Sequence, residues 1–234
     1  MLFPGLEFSM FLIVDGLLSI ITGAIVYLKD REYVLNKLTA LALLFFGTFF
    51  LSESFIYIIA PLKVDNLFLY LNLFRDLTFL SAYLAVITLF YASSYIHRGE
   101  NYVKNPLLLA VVVMTSIVGL VLAIFLDNVT ITGEEILLQS EILASIGIFA
   151  IPVLFVFVSM VEFWSVARKT DVPAIRFKIM LVVLGLALIL AGQGYYAIVE
   201  TLGMRRNVLF FVGHIFYFLA DCVILYAFAK PQKN

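Results

Sequence analysis

The sequence predicts an all-α fold, an integral membrane bundle of seven transmembrane helices with its N-terminus outside and its C-terminus in the cytoplasm. The first observation is composition: 64% of the 234 residues are hydrophobic and 13% are charged, whereas soluble domains average about 45–50% and 25%. The second is the grouping of apolar residues into windows of about 20, the length that crosses a bilayer. The third is an uneven distribution of Lys and Arg between alternate loops.

Seven apolar windows define a single domain over residues 1–234. Pro61 and Pro106 fall at window boundaries, where helices end or begin, and Pro173 lies in the loop before the sixth window. Pro152 lies within the fifth window and predicts a kink there. The predicted spans are residues 8–28, 38–60, 67–96, 106–126, 142–165, 177–199 and 207–229.

The orientation follows from the basic residues of the loops. The first, third and fifth loops and the C-terminal tail together hold eleven Lys and Arg, against four on the other side. Because cytoplasmic loops carry the excess of Lys and Arg, the C-terminus is predicted inside. The acidic fourth loop, residues 127–141, is then external. We expect a multi-pass protein of the plasma membrane.

Polar side chains interrupt five of the seven spans. Ionisable groups inside a membrane are costly, and each is a candidate functional residue. Residues three, four and seven apart share one helix face, which places these groups in stripes on spans one, two, three, six and seven. We predict that the stripes surround an outward-facing polar cavity, with spans four and five packing at its outside or facing lipid. The candidate ligand-binding residues are Asp15, Glu53, Tyr57, Arg75, Asp76, Gln193, Tyr196, His214, Tyr217 and Asp221.

The charges of these candidates predict the ligand and one ion pair. Carboxylates outnumber basic groups, which favours a cation, a proton or a polar ligand with a basic group. Arg75 is expected to pair with Glu53 or with an acid on the first span rather than only with Asp76, because adjacent helical residues point about 100° apart. The alternative is that each polar group is structural and forms interhelical hydrogen bonds, worth about 0.6 kcal/mol on average.

Residues for catalysis or for cofactors are scarce. Two His and one Cys are too few for a His-rich zinc hydrolase. The chain has no Gly-rich phosphate loop and no lysine in the middle of the seventh span for a retinal Schiff base. We therefore expect no enzymatic activity, no metal and no cofactor. The formal net charge of −1 also argues against a nucleic-acid partner.

The layout resembles the seven-transmembrane N-terminal sensory region of prokaryotic histidine kinases and diguanylate cyclases. The resemblance rests on the basic first loop at residues 29–32, the apolar run at 38–46, the acidic-aromatic stretch at 53–57 and a long third span that contains Phe90 and Tyr91. It implies a sensor without catalytic residues in this region. Because no kinase or cyclase domain follows the seventh span, we expect a stand-alone module that signals through a partner.

Three functions remain open from the sequence. The first is a membrane sensor or receptor-like protein that binds a small molecule or cation and contacts a cytoplasmic signalling protein through its basic third and fifth loops. The second is a proton- or cation-coupled transporter or channel. The third is an accessory subunit of a larger membrane complex. In each case the lipid bilayer is a partner, and homo-oligomerisation through seams of small residues is an alternative use of the helix faces.

Overall fold

The computed structural model describes residues 4–62, 65–132, 135–140, 142–201 and 209–229. The predicted spans fall on its long helices, with residues 207–208 of the seventh span outside the described part. In chain order the elements are α1 (Pro4–Lys29), α2 (Val34–Ile59), a 3₁₀ turn (Ala60–Leu62), α3 (Leu67–Arg98), α4 (Glu100–Val103), α5 (Pro106–Leu126), β1 (Asp127–Thr132), β2 (Glu135–Ser140), α6 (Ile142–Ser145), a π-helical turn (Ile146–Ala150), α7 (Ile151–Lys169), α8 (Pro173–Thr201) and α9 (Leu209–Ala229).

The chain is a helical, multi-pass membrane protein. Among the described residues, six helices are long and apolar enough to cross a bilayer, and α9 adds a shorter apolar stretch, Val212–Phe228. Large apolar side chains cover the outside of the bundle, including Leu107 at 72% exposure and Phe125 at 74%. A soluble protein rarely exposes such continuous apolar surface, so this surface is a lipid contact.

Six helices form a closed ring. α1 packs against α2, α2 against α3, α3 against α7, α7 against α8, α8 against α9, and α9 returns to α1. α5 lies outside this ring, where it packs mainly against α3 and the π-helical turn. We call the end that holds β1 and β2 the hairpin end, and the end that holds Lys29, Arg98 and Lys178 the basic end.

Glycines allow the helices to approach closely, as in other membrane bundles. A Cβ added at Gly47 on α2 would lie 2.7 Å from the carbonyl oxygen of Gly16 on α1. A Cβ at Gly147 in the π-helical turn would lie 2.2 Å from the carbonyl oxygen of Gly119 on α5. At the second crossing the hydroxyl of Tyr83 donates to the Gly147 carbonyl at 2.7 Å, which ties α3 to the same point.

The fifth predicted span is irregular beside its proline. The π-helical turn Ile146–Ala150 ends two residues before Pro152, which occupies the first turn of α7. Proline has no backbone N–H and cannot continue the α-helical hydrogen-bond pattern toward its N-terminal side. The widened π turn is the local form that the predicted kink takes, and it lies where α5 crosses.

A small antiparallel hairpin interrupts the helical fold at the fourth loop. β1 pairs with β2 in a register that sets Asp127 opposite Ser140 and Thr132 opposite Glu135. Only a loop was predicted here, although Val129, Thr130 and Ile131 are residues that favour strands. The hairpin starts directly at the end of α5 and holds Asp127 against the ring.

Candidate functional site

A cavity of about 140 Å³ lies inside the ring, toward the hairpin end. All six ring helices contribute to its wall, together with the π-helical turn. Most of the wall is aromatic or aliphatic, with a few polar groups that converge on the cavity, which is the usual composition of a ligand pocket. The polar and tyrosyl residues in the wall are Glu53, Tyr57, Arg75, Gln193, Tyr196, His214 and Tyr217.

Arg75 is the positive charge of this wall. Its Nη1 donates to Glu53 Oε2 at 2.9 Å, and its Nε donates to Asp127 Oδ2 at 2.7 Å. The guanidinium carbon also lies 4.4 Å from the centre of the Phe79 ring, a cation–π contact. The predicted pair with Glu53 is therefore present. Arg75 therefore binds two carboxyl groups at once, one from α2 and one from β1.

The second polar pair joins α1 to α9, the first and the last helix of the ring. His214 Nδ1 lies 3.0 Å from Asp15 Oδ2, and both residues are buried. Nδ1 donates where the Asp15 carboxyl is ionised and accepts where that carboxyl is protonated. The other ring nitrogen, Nε2, is buried without a hydrogen-bond partner among the described residues. Nε2 is an acceptor in the neutral ring that carries its proton on Nδ1, and a donor in the other tautomer and in the imidazolium form.

Aromatic rings surround His214. The ring centres of Phe8 and Tyr196 lie 4.8 Å and 5.5 Å from the imidazole centre. Tyr217 and Phe50 follow at 6.1 Å and 6.3 Å. Ring faces attract cations, so this wall favours a ligand that carries a positive group.

Seven of the ten predicted residues line the cavity, and three do not. Asp15 lies behind His214, where its carboxylate is used by the imidazole. Asp76 is half-buried on another face of α3, as expected from its 100° rotation from Arg75. Asp221 lies two turns beyond His214, and its Oδ2 accepts the hydroxyl of Ser19 at 2.5 Å. The prediction that these three acids line the same cavity is wrong. The side chains of Asp15 and Asp76 point elsewhere, and Asp221 lies at a different depth.

The fifth span belongs to the cavity wall, contrary to the sequence analysis. The described wall residues of this span are Ile148, Phe149, Pro152, Val153 and Val156. The lining helices were predicted from their polar stripes, and this part of the wall has no polar stripe. The fourth span, α5, contributes no described wall residue and lies outside the ring as predicted.

Two acidic groups with structural roles were missed as site residues. Asp127 lies in the fourth loop, and only the approach of the hairpin to α3 shows its contact with Arg75. Glu162 on α7 lies at the basic end, where the hydroxyls of Ser93 and Ser94 donate to its Oε2 at 2.8 Å and 2.7 Å. Arg98 Nε donates to its Oε1 at 3.0 Å. The signal in the sequence for this cluster was the pair Ser93 and Ser94, followed by Arg98 on the same helix.

Within the described part of the chain, no three His, Cys, Asp or Glu side chains lie close enough to hold a metal ion. The resemblance to sensory regions of histidine kinases remains a prediction from sequence pattern. No protein-family model, curated protein or solved structure matches the chain.

Proposed function

We propose that the protein is a seven-helix sensor or receptor-like protein of the plasma membrane that binds a small ligand in the ring cavity. In this proposal α9 is the seventh span and the hairpin end faces outside. The eleven-to-four distribution of Lys and Arg supports this orientation. The basic end then meets a cytoplasmic signalling partner.

The observation that carries the proposal is that Nε2 of His214 is buried and has no hydrogen-bond partner among the described residues. His214 forms part of the cavity wall. A buried polar atom without a hydrogen bond costs about 1–3 kcal/mol. A ligand that hydrogen-bonds to Nε2 removes this cost. A histidine that only held helices together would not require a cavity next to it.

The wall favours a compact amine. The cavity of about 140 Å³ is close in size to engineered cavities of about 150 Å³ that take up benzene. Glu53 uses Oε2 for Arg75, and its other oxygen makes no hydrogen bond within the described residues. An ammonium group between Glu53 and the aromatic rings would gain both ionic and cation–π attraction, while its apolar part contacts the wall from α7.

α7 offers a route for the signal. Near the hairpin end it contacts the cavity through Pro152, and near the basic end it holds Glu162. Glu162 binds three side chains of α3. A ligand that displaces the start of α7 would therefore alter the contact between α7 and α3 at the opposite end of the bundle.

The test is a thermal-shift screen of compact amines with the purified protein in nanodiscs. A ligand at one hundred times its Kd stabilises a protein by about 2.7 kcal/mol, so a binder raises Tm. We expect His214→Gln to abolish that rise. His97→Gln is the matched control, because His97 lies at the basic end near Glu162. Equal shifts in the two variants would place the ligand elsewhere.

One observation favours the transporter as a second candidate. A second cavity of about 150 Å³ lies toward the basic end, and Phe46, Val86, Val156 and Ile189 line both cavities. These four side chains form an apolar septum between the two spaces. Cation flux into liposomes that increases in Phe46→Ala would support transport, whereas ligand binding without flux in either protein favours the sensor.

A further inference from the structure

The second cavity is an apolar chamber that reaches the surface at the basic end. Its described polar wall residues are Thr39, Lys178 and Asp221. Ile175, also in the wall, is 40% exposed, and Lys178 is half-buried. Both lie in the first two turns of α8, so the chamber opens where that helix begins.

Two ammonium groups stand at this opening. The side chain of Lys178 lies beside that of Lys29, close enough for a side-chain contact. Lys29 Nζ donates to the backbone carbonyl of Phe228 at 2.5 Å, and Phe228 is itself a wall residue. Among the described residues no carboxylate lies within ion-pair distance of either lysine. The repulsion between the positive ends of two adjacent lysines would fall if an anion lay between them.

We propose that the second cavity binds a single-chain anionic amphiphile, a medium-chain fatty acid. Its carboxylate would lie between Lys29 and Lys178, and its acyl chain would fill the chamber. The volume of about 150 Å³ suits one short chain and not the two chains of a phospholipid. This site is separate from the ring cavity and does not depend on the proposed function.

Asp221 restricts the ligand further. It forms part of the wall at the deep end, seven residues beyond His214 on α9, and its Oδ2 accepts the Ser19 hydroxyl. An apolar chain end can contact this part of the chamber. A second carboxylate at the end of the chain would lose its hydration in this apolar space, beside an acid that offers it no cation. The site therefore selects monocarboxylates against dicarboxylates of equal length.

The test is equilibrium binding of radiolabelled hexanoate to the purified protein in phosphatidylcholine nanodiscs, with empty nanodiscs subtracted. We expect saturable binding that unlabelled hexanoate displaces and hexanedioate does not. Lys178→Gln should weaken binding about tenfold, as expected for the loss of one charge-assisted hydrogen bond. Lys178→Arg should retain binding, which shows that the site survives substitution.

Lys37→Gln is the matched control, because Lys37 is an exposed lysine on α2 near the same end and does not line the chamber. It should change hexanoate affinity by less than about twofold, because exposed charges are screened by salt. Absence of saturable binding above empty nanodiscs would overturn the proposal. So would equal weakening by Lys37→Gln and Lys178→Gln, or displacement by hexanedioate as effective as by hexanoate.

Discussion

Asp15 and His214 are 199 residues apart in the chain, and their side chains meet at 3.0 Å. The contact closes the ring of helices between α1 and α9 and fixes the imidazole with Nε2 beside the cavity. One pair therefore serves the fold and the candidate site together. Neither residue is exposed, so the pair is not a surface contact that salt would screen.

The Arg75 cluster leads to the first prediction. Arg75→Ala leaves the buried carboxylates of Glu53 and Asp127 without their shared cation. Removing one partner of a buried ion pair costs about 3–5 kcal/mol, and we expect a loss of this size in unfolding experiments in detergent micelles. The double variant Arg75→Ala with Glu53→Gln should recover part of the loss, and adding Asp127→Asn should recover more. A double variant as unstable as the single one would show that the ion pair contributes nothing.

Helix crossings at glycine lead to the second prediction. Gly147→Ala places a Cβ 2.2 Å from the Gly119 carbonyl oxygen, and backbone cannot yield as a flexible side chain can. Overpacking of this kind costs about 1–3 kcal/mol. Gly194→Ala is the matched control, because nothing lies within 4 Å of its added Cβ. The control should be neutral or more stable by up to about 1 kcal/mol, since Ala favours helix.

A comparison of their melting temperatures in the same detergent decides this prediction. If Gly147→Ala melts as the unchanged protein does, α5 and the π-helical turn are not in close contact.

The Glu162 cluster leads to the third prediction. Glu162→Ala leaves Ser93, Ser94 and Arg98 without their common acceptor and should destabilise the bundle by about 3–5 kcal/mol. Glu162→Gln should cost less, because one amide oxygen still accepts. The control is Glu100→Gln, which breaks the 2.5 Å pair with Lys104. The hydrogen bond from Lys104 lowers the pKa of the Glu100 carboxyl, but both side chains are exposed, so no measurable loss is expected.

Unfolding curves of the three variants test this assignment. A Glu162→Ala protein no less stable than Glu100→Gln would mean that the buried hydrogen bonds do not hold α3 to α7.

The interhelical serine leads to the fourth prediction. Ser19→Ala removes the donor that contacts Asp221 Oδ2 and leaves a buried carboxyl oxygen without that bond. We expect a loss of about 1–3 kcal/mol, measured by thermal unfolding. Ser116→Ala is the control, since this serine donates only to the Val112 carbonyl of its own helix. If the two substitutions lowered the stability equally, the hydrogen bond between Ser19 and Asp221 would not hold α1 to α9.

The helices were predictable because each is a continuous apolar stretch, and the crossing of a bilayer requires that pattern. Seven cavity residues were predictable because a polar side chain inside a span is costly and needs a reason. The part of the wall around Pro152 was not predictable, since its apolar residues look the same whether they face lipid or a cavity. Asp127 was missed because its contact with Arg75 depends on how β1 packs against α3.

Reaction of a cysteine in the cavity wall tests most directly whether the cavity opens to the outside and attracts cations. The variant Gln193→Cys in a Cys222→Ala background carries a single thiol, because Cys222 is the only native cysteine. The measurement is its reaction rate, in intact cells, with membrane-impermeant thiosulfonates of positive and negative charge. We expect reaction from outside, faster for the cation by about tenfold or more, and protection by an amine that raises Tm. No reaction from outside, or a faster reaction with the anionic reagent, would contradict it.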